Sequence, residues 1–378
     1  MINSNRLADL FVTLCEIDSP SGHEGHVAQF IKSLVSEELS PSELIEDDSA
    51  VKTGSQCGNL IIRFNGGLGR SPIFFNAHLD TVEPASGVRV QRKGDTFFSR
   101  GQTILGADDR SGIAIMIEVI RSLRDHNIPF RPIDLIFTTC EEVGLLGAKA
   151  LDPDLIRGSF GYSLDTTGVD RIVVGAPSAN NIRAEISGIS AHSGLNPEKG
   201  VNAIVIASRA VSNMLLGRID EETTANIGII SGGTATNIVP DHVIVRGEVR
   251  SHSEEKLEIY TRKIESSFLN GLNSITPLSN KGQSFPKMDF SFDRQFPAFR
   301  LSKSDEAVTL VQDAASALNR DIEFAVDGGG SDANIFNGHG LSTAIISTGM
   351  TKVHTTDEFI HLQDMTRTSE LIFALLTS

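Results

Sequence analysis

Hydrophobic and polar residues follow one another along the first part of the chain in a pattern that predicts alternating helices and strands. Apolar residues recur at helical spacing in 6–17 and 24–39, whereas the nearly continuous apolar runs 59–64 and 72–79 are typical of buried strands. The segment NGGLGR, which joins the two runs, predicts a hairpin or another tight connection. The chain therefore begins with two helices that are followed by two strands.

The same alternation continues to about residue 174. Residues 112–125 predict a largely buried helix, and 133–140 and 160–167 predict buried strands. Alternating helices and buried strands indicate an α/β fold with a mixed, mostly parallel sheet flanked by helices. Ligands of such sheets bind at the carboxyl ends of the strands, so polar residues at those ends are the candidate functional residues.

The pattern changes between residues 175 and 296. Strands with alternating polar and apolar residues are interleaved there with two amphipathic helices, at 200–215 and 253–272, as in an antiparallel sheet covered by helices. The α/β pattern then resumes from 297 to the last residue. We therefore expect an α+β domain at 175–296, inserted into an α/β domain formed by 1–174 and 297–378.

Composition narrows the class of protein. The chain has 378 residues, of which 40% are hydrophobic and 21% charged, as in folded soluble proteins. Its net charge of −15 is unfavourable for binding nucleic acid or an anionic membrane surface, so we expect neither as a partner.

The sequence also indicates where the protein resides. No apolar stretch approaches eighteen uninterrupted residues, and the first residues lack a basic segment followed by an apolar one, so we expect a cytoplasmic protein. The cysteines Cys15, Cys57 and Cys140 are too few and too widely spaced for a disulfide framework or a thiolate metal site. Any metal would be bound by histidine and carboxylate.

The first candidate ligands lie in the segment NAHLDTV (76–82). His78 and Asp80 are two residues apart at the end of a buried strand, so both side chains point to one face. A metal ligand with its orienting carboxylate fits this geometry. Taken alone, the pair is more often a histidine that is hydrogen-bonded to a turn aspartate.

Other acidic and histidine residues follow strand ends or begin helices in the α/β part: Asp108 and Asp109 in LGADDRSG, Glu141 and Glu142 in TTCEEVGLLGA, Asp165 in SLDTTG, and His354 in KVHTTDEF. Each has an ordinary structural explanation by itself, such as a helix cap, a solvated pair or a turn. Because they all fall at the same edge of the sheet, a metal site explains them better together. Two histidines and three carboxylates suit a dinuclear zinc site, or cobalt or manganese in its place, that catalyses hydrolysis.

These segments, in this order, resemble those of the co-catalytic zinc peptidases that include peptidase T, carboxypeptidase G, aminoacylase and succinyl-diaminopimelate desuccinylase. The peptidase T-like members are the most similar, because SGISAHSG (187–194) and GGTATNIVPDHVIVRGEVRS (232–251) of the inserted segment also resemble theirs. The resemblance implies a zinc-peptidase-like catalytic domain and an inserted lid and dimerisation domain. It also implies a homodimer formed through that lid.

The resemblance further implies roles for the metal-binding residues. His78, Asp108 and Asp165 would bind one Zn²⁺, and Glu142 and His354 the other, with Asp108 bridging the two; Co²⁺ or Mn²⁺ are substitutes. Asp80 would orient His78. Glu141 would be the general base that takes a proton from the metal-bridging water and passes it to the leaving amine. The peptide bond between Asp108 and Asp109 would be cis.

Further positions are implied for substrate recognition. His192 would stabilise the tetrahedral oxyanion, and Asn237 and Arg250 would bind polar groups or the carboxylate of a small peptide. In DGGGSDAN (327–334), Gly329 and Ser331 would contact the substrate. The segment lacks the lysine and the spacing of a phosphate-binding loop.

Spacing separates this arrangement from another group of zinc aminopeptidases, in which the inserted domain falls between the first histidine and the bridging aspartate. Here His78 and Asp108 are only 30 residues apart, whereas the 189 residues from Asp165 to His354 contain the inserted segment. The spacing therefore favours the peptidase T-like arrangement, and the resemblance to those members implies an aminotripeptidase. The alternatives are an N-acyl amino acid amidohydrolase or carboxypeptidase of the same family and, less favoured, an inactive peptide-binding relative.

Overall fold

The computed structural model of the chain describes residues 2–275 and 286–378. The helices are α1 (Ser4–Cys15), α2 (Gly25–Glu38), α3 (Ala50–Thr53), α4 (Ala107–Asp125), α5 (Leu146–Ala150), α6 (Ala203–Ser212), α7 (Glu254–Asn273), α8 (Glu306–Ala317), α9 (Asp332–Gly338) and α10 (Leu362–Thr377).

The strands are β1 (Glu43–Glu46), β2 (Leu60–Phe64), β3 (Ile73–His78), β4 (Val90–Lys93), β5 (Thr96–Ser99), β6 (Ile133–Thr138), β7 (Phe160–Thr166), β8 (Arg171–Val173), β9 (Gly175–Ala176), β10 (Ser178–Ser187), β11 (Ala191–His192), β12 (Gly217–Arg218), β13 (Thr223–Gly232), β14 (Ile238–Val239), β15 (His242–Ser251), β16 (Lys287–Phe296), β17 (Phe299–Arg300), β18 (Glu323–Ala325), β19 (Ser342–Ser347) and β20 (Phe359–His361).

These elements form two compact units. The first comprises the described residues up to Gly175 together with Arg300–Asp327 and Ser331–Ser378. The second comprises the described residues within 176–299 and 328–330.

The first unit contains an eight-stranded sheet with the order β1-β2-β6-β3-β7-β19-β8-β18. Its centre is parallel, because β3 pairs in parallel with both β6 and β7, and β7 with β19. The pairs β1–β2, β2–β6 and β19–β8 are antiparallel. The mixed, mostly parallel sheet confirms the predicted fold class.

Helices cover both faces of this sheet because its central strands are apolar on both sides. Along β3, Phe75 and Ala77 pack in the main core with residues of α1, α4 and α10, whereas Phe74 packs in a second cluster with Phe336 of α9. Successive side chains of a strand point to opposite faces, so a continuous apolar run needs a covering layer on each. The polar residue His78 is then left at the end of the strand.

The sequence predicts a hairpin or another tight connection between β2 and β3, and the structure excludes the hairpin. The two strands are not neighbours, because β6 lies between them and pairs with both. All three strands are buried and apolar, so their composition does not reveal which of them pair.

The second unit is built on an antiparallel sheet with the order β12-β13-β15-β10-β16. Inward residues such as Ile182 and Val245 form a core with Ile206 of α6 and with Leu257 and Phe268 of α7. The alternating pattern of β10 and β15 is therefore that of a sheet with one face packed against helices.

Among the described residues, no helix combines the length and the apolar character that crossing a membrane requires.

Candidate metal centre

The candidate centre lies in the first unit, at the carboxyl ends of its parallel strands. The strand β3 ends at His78, β7 carries Asp165 next to its last residue, and the segment after β6 carries Glu141 and Glu142. Because β6, β3 and β7 are adjacent and parallel, their carboxyl ends meet at one edge of the sheet. Three separate parts of the sequence are thereby brought together.

One group of ligand atoms comes from His78, Asp108 and Asp165, and these atoms lie within 4.8 Å of one another. The Nε2 atom of His78 is 3.0 Å from Oδ1 of Asp108 and 3.9 Å from Oδ1 of Asp165. His78 is only 1% exposed. The group therefore offers one histidine nitrogen and two carboxylates, and its histidine is buried.

A second group comes from Asp108, Glu142 and His354, again within 4.8 Å. The Nε2 atom of His354 is 3.2 Å from Oδ2 of Asp108 and 3.0 Å from Oε1 of Glu142. Asp108 thus turns one oxygen toward each histidine. A third grouping, of His78, Glu141 and Glu142, overlaps the first two. The structure brings all five predicted metal ligands together.

The donor set fits divalent cations. Oε1 of Glu142 is buried and, among the described residues, has no hydrogen-bond partner, although it lies 3.0 Å from the ring nitrogen of His354. Several carboxylates also lie together in a mostly buried place, where unpaired negative charge is costly. Divalent cations held by the histidine nitrogens and the carboxylate oxygens would satisfy these atoms.

The crowding of charges changes the pKa values of the ligands. Burial alone would lower the pKa of His78, but its contacts with Asp108 and Asp80 raise that pKa above the ordinary value. The carboxylates of Asp108 and Glu142 raise the pKa of His354 to about 10. Burial would raise the pKa of Asp108, yet the two histidines hold it below its usual range. Burial raises the pKa of Asp165.

Asp80, predicted to orient His78, also organises the segment that follows β6. The Nδ1 atom of His78 is 3.0 Å from the backbone oxygen of Asp80 and 3.5 Å from its Oδ1. The same carboxylate accepts the backbone N–H groups of Glu141 at 2.9 Å and Glu142 at 3.1 Å, and the hydroxyl of Ser21 at 2.6 Å. Asp80 therefore connects the histidine to both glutamates.

Glu141 is 8% exposed and stands next to the ligand groups. Burial raises the pKa of its carboxyl well above the ordinary value. The backbone turns sharply just before it, since Cys140 has a φ of 53°. A carboxyl group that binds a proton readily beside a cation site has the properties of a general base.

The adjacent aspartates of α4 have different surroundings. Asp108 points into both ligand groups, whereas Asp109 accepts the backbone N–H groups of His78 at 3.3 Å and Gly112 at 3.1 Å. The peptide bond between the two aspartates is cis, which confirms the expectation from the sequence.

Three buried carboxylates near the centre were not predicted. Glu24 accepts the backbone N–H of Cys140 at 2.9 Å, and Asp332 accepts hydrogen bonds from Thr138 and Asn76. Glu358 accepts backbone N–H groups of the segment that leads to Asp108. Asp332 directly follows Ser331, and Glu358 is four residues after His354, so both lay within quoted motifs. No local pattern distinguishes Glu24.

The predicted substrate-binding residues are divided between the two units. Ser331 belongs to the first unit, where its side chain caps α9 by accepting the N–H of Ala333 at 3.3 Å. His192, Asn237, Arg250 and Gly329 belong to the second unit.

Within the second unit these residues form two local groups. Nδ1 of His192 accepts the N–H groups of Gly194 at 3.1 Å and Leu195 at 3.2 Å, and the carbonyl of Asn237 accepts the N–H of Ser193 at 3.0 Å. The second group is formed by the guanidinium of Arg250, which donates to Glu248 at 3.0 and 3.1 Å and to the carbonyl of Gly328, next to Gly329, at 3.4 Å.

Comparison with known proteins adds to this geometry. A sequence model of the family described as Peptidase family M20/M25/M40 matches residues 74–378. Uncharacterized protein YqjE of Bacillus subtilis (strain 168) is 39% identical over 377 residues, covering 100% of this chain and 99% of that protein.

Two crystal structures resemble the whole chain. Aminopeptidase PepT from Bacillus cereus ATCC 10987 is 40% identical with a TM-score of 0.88, and a tripeptidase from Staphylococcus aureus subsp. aureus Mu50 is 34% identical with a TM-score of 0.93. Both comparisons cover 100% of this chain and 98% of the other.

Proposed function

Because this chain belongs to peptidase family M20/M25/M40 and is a metal-dependent peptidase, we propose that it is an aminotripeptidase that releases the first residue of small peptides. The observation that carries the proposed chemistry is the pair of ligand groups that share Asp108, with buried Glu141 beside them. The choice of substrate is supported by the similarity to proteins described as an aminopeptidase and a tripeptidase.

We assign the ligands as the resemblance to the zinc peptidases implies. His78, Asp108 and Asp165 would hold one cation, and Asp108, Glu142 and His354 the other. Zn²⁺ is our first choice, because histidine nitrogen and carboxylate oxygen together suit it, and Co²⁺ or Mn²⁺ are substitutes. When bound, such cations polarise a carbonyl group and make water a good nucleophile at neutral pH.

The proton transfers are assigned to Glu141. Its carboxylate takes the proton of the attacking water, holds it because burial raises the pKa of this group, and delivers it to the leaving amine. Asp80 keeps Glu141 in place through the backbone N–H at 2.9 Å. The backbone that carries Glu141 is therefore held by the same carboxylate that orients His78.

His192 is assigned to the oxyanion that forms at the carbonyl carbon. Its Nδ1 accepts two backbone N–H groups, so the proton of the neutral ring is placed on Nε2. The ring then presents an N–H donor away from its own loop, which is the group that an oxyanion needs. We propose that the second unit is a lid that supplies this donor.

The remaining assignments concern peptide binding and assembly. Asn237, Arg250, Gly329 and Ser331 would bind the polar groups and the carboxylate of the peptide. The lid would also form a homodimer interface, which sedimentation or gel filtration tests by a mass of two chains. A cytoplasmic location remains a prediction from the sequence.

The deciding experiment compares one tripeptide with a free amino end and its N-acetylated form, using protein loaded with Zn²⁺ or Co²⁺ and a chelated control. We expect metal-dependent release of the first residue from the free tripeptide only. Cleavage of the acetylated form alone would overturn the aminotripeptidase proposal in favour of an amidohydrolase or carboxypeptidase. Cleavage of neither peptide, with metal bound, would favour a peptide-binding relative.

A further inference from the structure

Glu358 is a buried carboxylate that the metal groups do not include. It is 1% exposed, and its oxygens accept three backbone N–H groups. Oε2 accepts those of Leu105 at 2.8 Å and Gly106 at 2.7 Å, and Oε1 accepts that of Asp108 at 3.1 Å. A carboxylate with three such bonds fixes the backbone around it, because each buried N–H would otherwise lack a partner.

The segment fixed in this way leads directly to the shared ligand. Gly106 adopts a left-handed conformation, with φ of 78°, and the α4 helix begins at Ala107. Asp108 is the residue that faces both histidines. The position of the Asp108 carboxylate therefore depends on its own backbone, whose N–H donates to Glu358.

Glu358 also belongs to the loop that supplies the second histidine. Thr351 and Phe359 exchange backbone hydrogen bonds at 3.0 and 3.1 Å, which closes a loop containing both His354 and Glu358. The side chain of His354 is 50% exposed and its φ is 61°, so packing alone does little to hold it. Glu358 joins this loop to the backbone of the Asp108 segment.

We propose that Glu358 is a positioning residue that couples the two ligand loops and so sets the spacing of Asp108 and His354 for the second cation. The inference rests on the proposed two-cation function and extends it to a residue that touches neither cation nor substrate. Its loss is expected to weaken cation binding at the group that contains His354 more than at the group that contains His78, because the latter is held by strands.

The test is a Co²⁺ titration of metal-free wild-type protein and of Glu358→Gln, followed by calorimetry and visible absorption. Glutamine has the same shape but turns an NH₂ group toward one N–H donor. We expect the wild type to bind two cations, and the variant to bind the cation of the His354 group about 10–100-fold less tightly, the usual cost of losing a residue that supports a metal ligand. Glu358→Asp keeps the charge but shortens the side chain, so it should also weaken Co²⁺ binding. This variant serves as the test if Glu358→Gln does not fold.

Glu118→Gln is the matched control. Glu118 is also a fully buried carboxylate. It accepts hydrogen bonds from the guanidinium of Arg6 and from the backbone N–H of Asn3, and it belongs to none of the ligand groups. It should lower the unfolding temperature without changing Co²⁺ affinity. An equal loss of cation affinity in Glu118→Gln would overturn the inference. Unchanged Co²⁺ binding in both Glu358 variants would also overturn it. Either result would leave the proposed function standing. Absence of Co²⁺ binding to the wild type would overturn both.

Discussion

The two ligand groups of the candidate metal centre are supported by different kinds of structure. His78 and Asp165 are at or near the ends of strands β3 and β7, and His78 is 1% exposed. Glu142 and His354 lie in loops, and the side chain of His354 is 50% exposed. Asp108 belongs to both groups.

This difference teaches how such a centre is stabilised. A residue on a central strand is held by the hydrogen bonds of two neighbours and by the core on both faces, so its position needs little else. A loop residue needs specific supports, and here these are buried carboxylates that accept backbone N–H groups. Asp80 supports Glu142 in this way, and Glu358 supports the segment that ends at Asp108.

The largest effect is expected at Glu141, which lies beside both ligand groups but is not assigned as a metal ligand. Glu141→Gln should reduce kcat by about 10²–10⁴-fold, the usual contribution of a general base, while two cations remain bound. The measurement is steady-state hydrolysis of the tripeptide, combined with elemental analysis of the dialysed protein.

Its neighbour provides the control. Glu142→Gln removes a ligand of the loop-held group, so it should lose a cation as well as activity. Near-normal turnover of Glu141→Gln would contradict its assignment, and loss of metal from that variant would show that Glu141 is a ligand.

The second prediction separates the two groups directly. His354→Ala should bind one cation instead of two, because Asp108 and Glu142 alone offer too few ligands, while His78, Asp108 and Asp165 remain. Equilibrium dialysis with Co²⁺ measures the number bound. His78→Ala should lose the other cation, and its buried position should add a loss of stability of about 1–3 kcal/mol.

His361→Ala is a suitable control for the histidine variants. Its ring is hydrogen-bonded to the hydroxyl of Thr96 and belongs to none of the ligand groups, so both cations should remain bound. If His354→Ala also kept both, the loop-held group would not be a metal site.

The smallest effect is expected in the turn that follows β7, the strand that carries Asp165. Asp170, in the turn after β7, contacts the guanidinium groups of Arg320 and Arg367. Burial would raise the pKa of Asp170, but the two arginines hold it below its usual range. Asp170→Asn should lower the unfolding temperature at pH 7 by about 2–4 °C, the change that roughly 1 kcal/mol produces.

The effect of pH on this variant follows from the direction of the shift. A lowered pKa in the folded protein means that Asp170 contributes stability above the ordinary pKa of 3.8 and loses it as the pH falls through the lowered value. The difference between wild type and variant, measured by thermal unfolding, should therefore disappear in acid. A difference that persisted in acid would show that the ion pairs are not its cause.

Much of the fold was predictable because it depends on local periodicity. The continuous apolar runs at β3, β6 and β7 predicted buried strands, and the confirmed α/β class follows from their alternation with helices. Which strands pair with each other was less predictable, since β2 pairs with β6 and not with β3. The strand β13 has a weaker strand pattern, because an irregularity between Ile227 and Ile229 breaks its alternation.

The candidate ligands were also found from the sequence, because each follows a recognisable strand or begins a helix. Among the supporting carboxylates, Asp80 was also predicted, but Glu24 and Glu358 were not. Glu24 and Glu358 accept backbone N–H groups of segments 116 and 250–253 residues away along the chain. No spacing rule relates such positions, since backbone donors are the same in every residue.

The sequence by itself determined the succession of helices and strands and the chemical types available at the strand ends, because periodicity and side-chain chemistry are local properties. Only the tertiary structure decided which backbone N–H groups Asp109 accepts, and that Glu358 joins the loops of Asp108 and His354. Those outcomes depend on which distant segments are brought within hydrogen-bond distance, and that is fixed by the packing of the whole sheet.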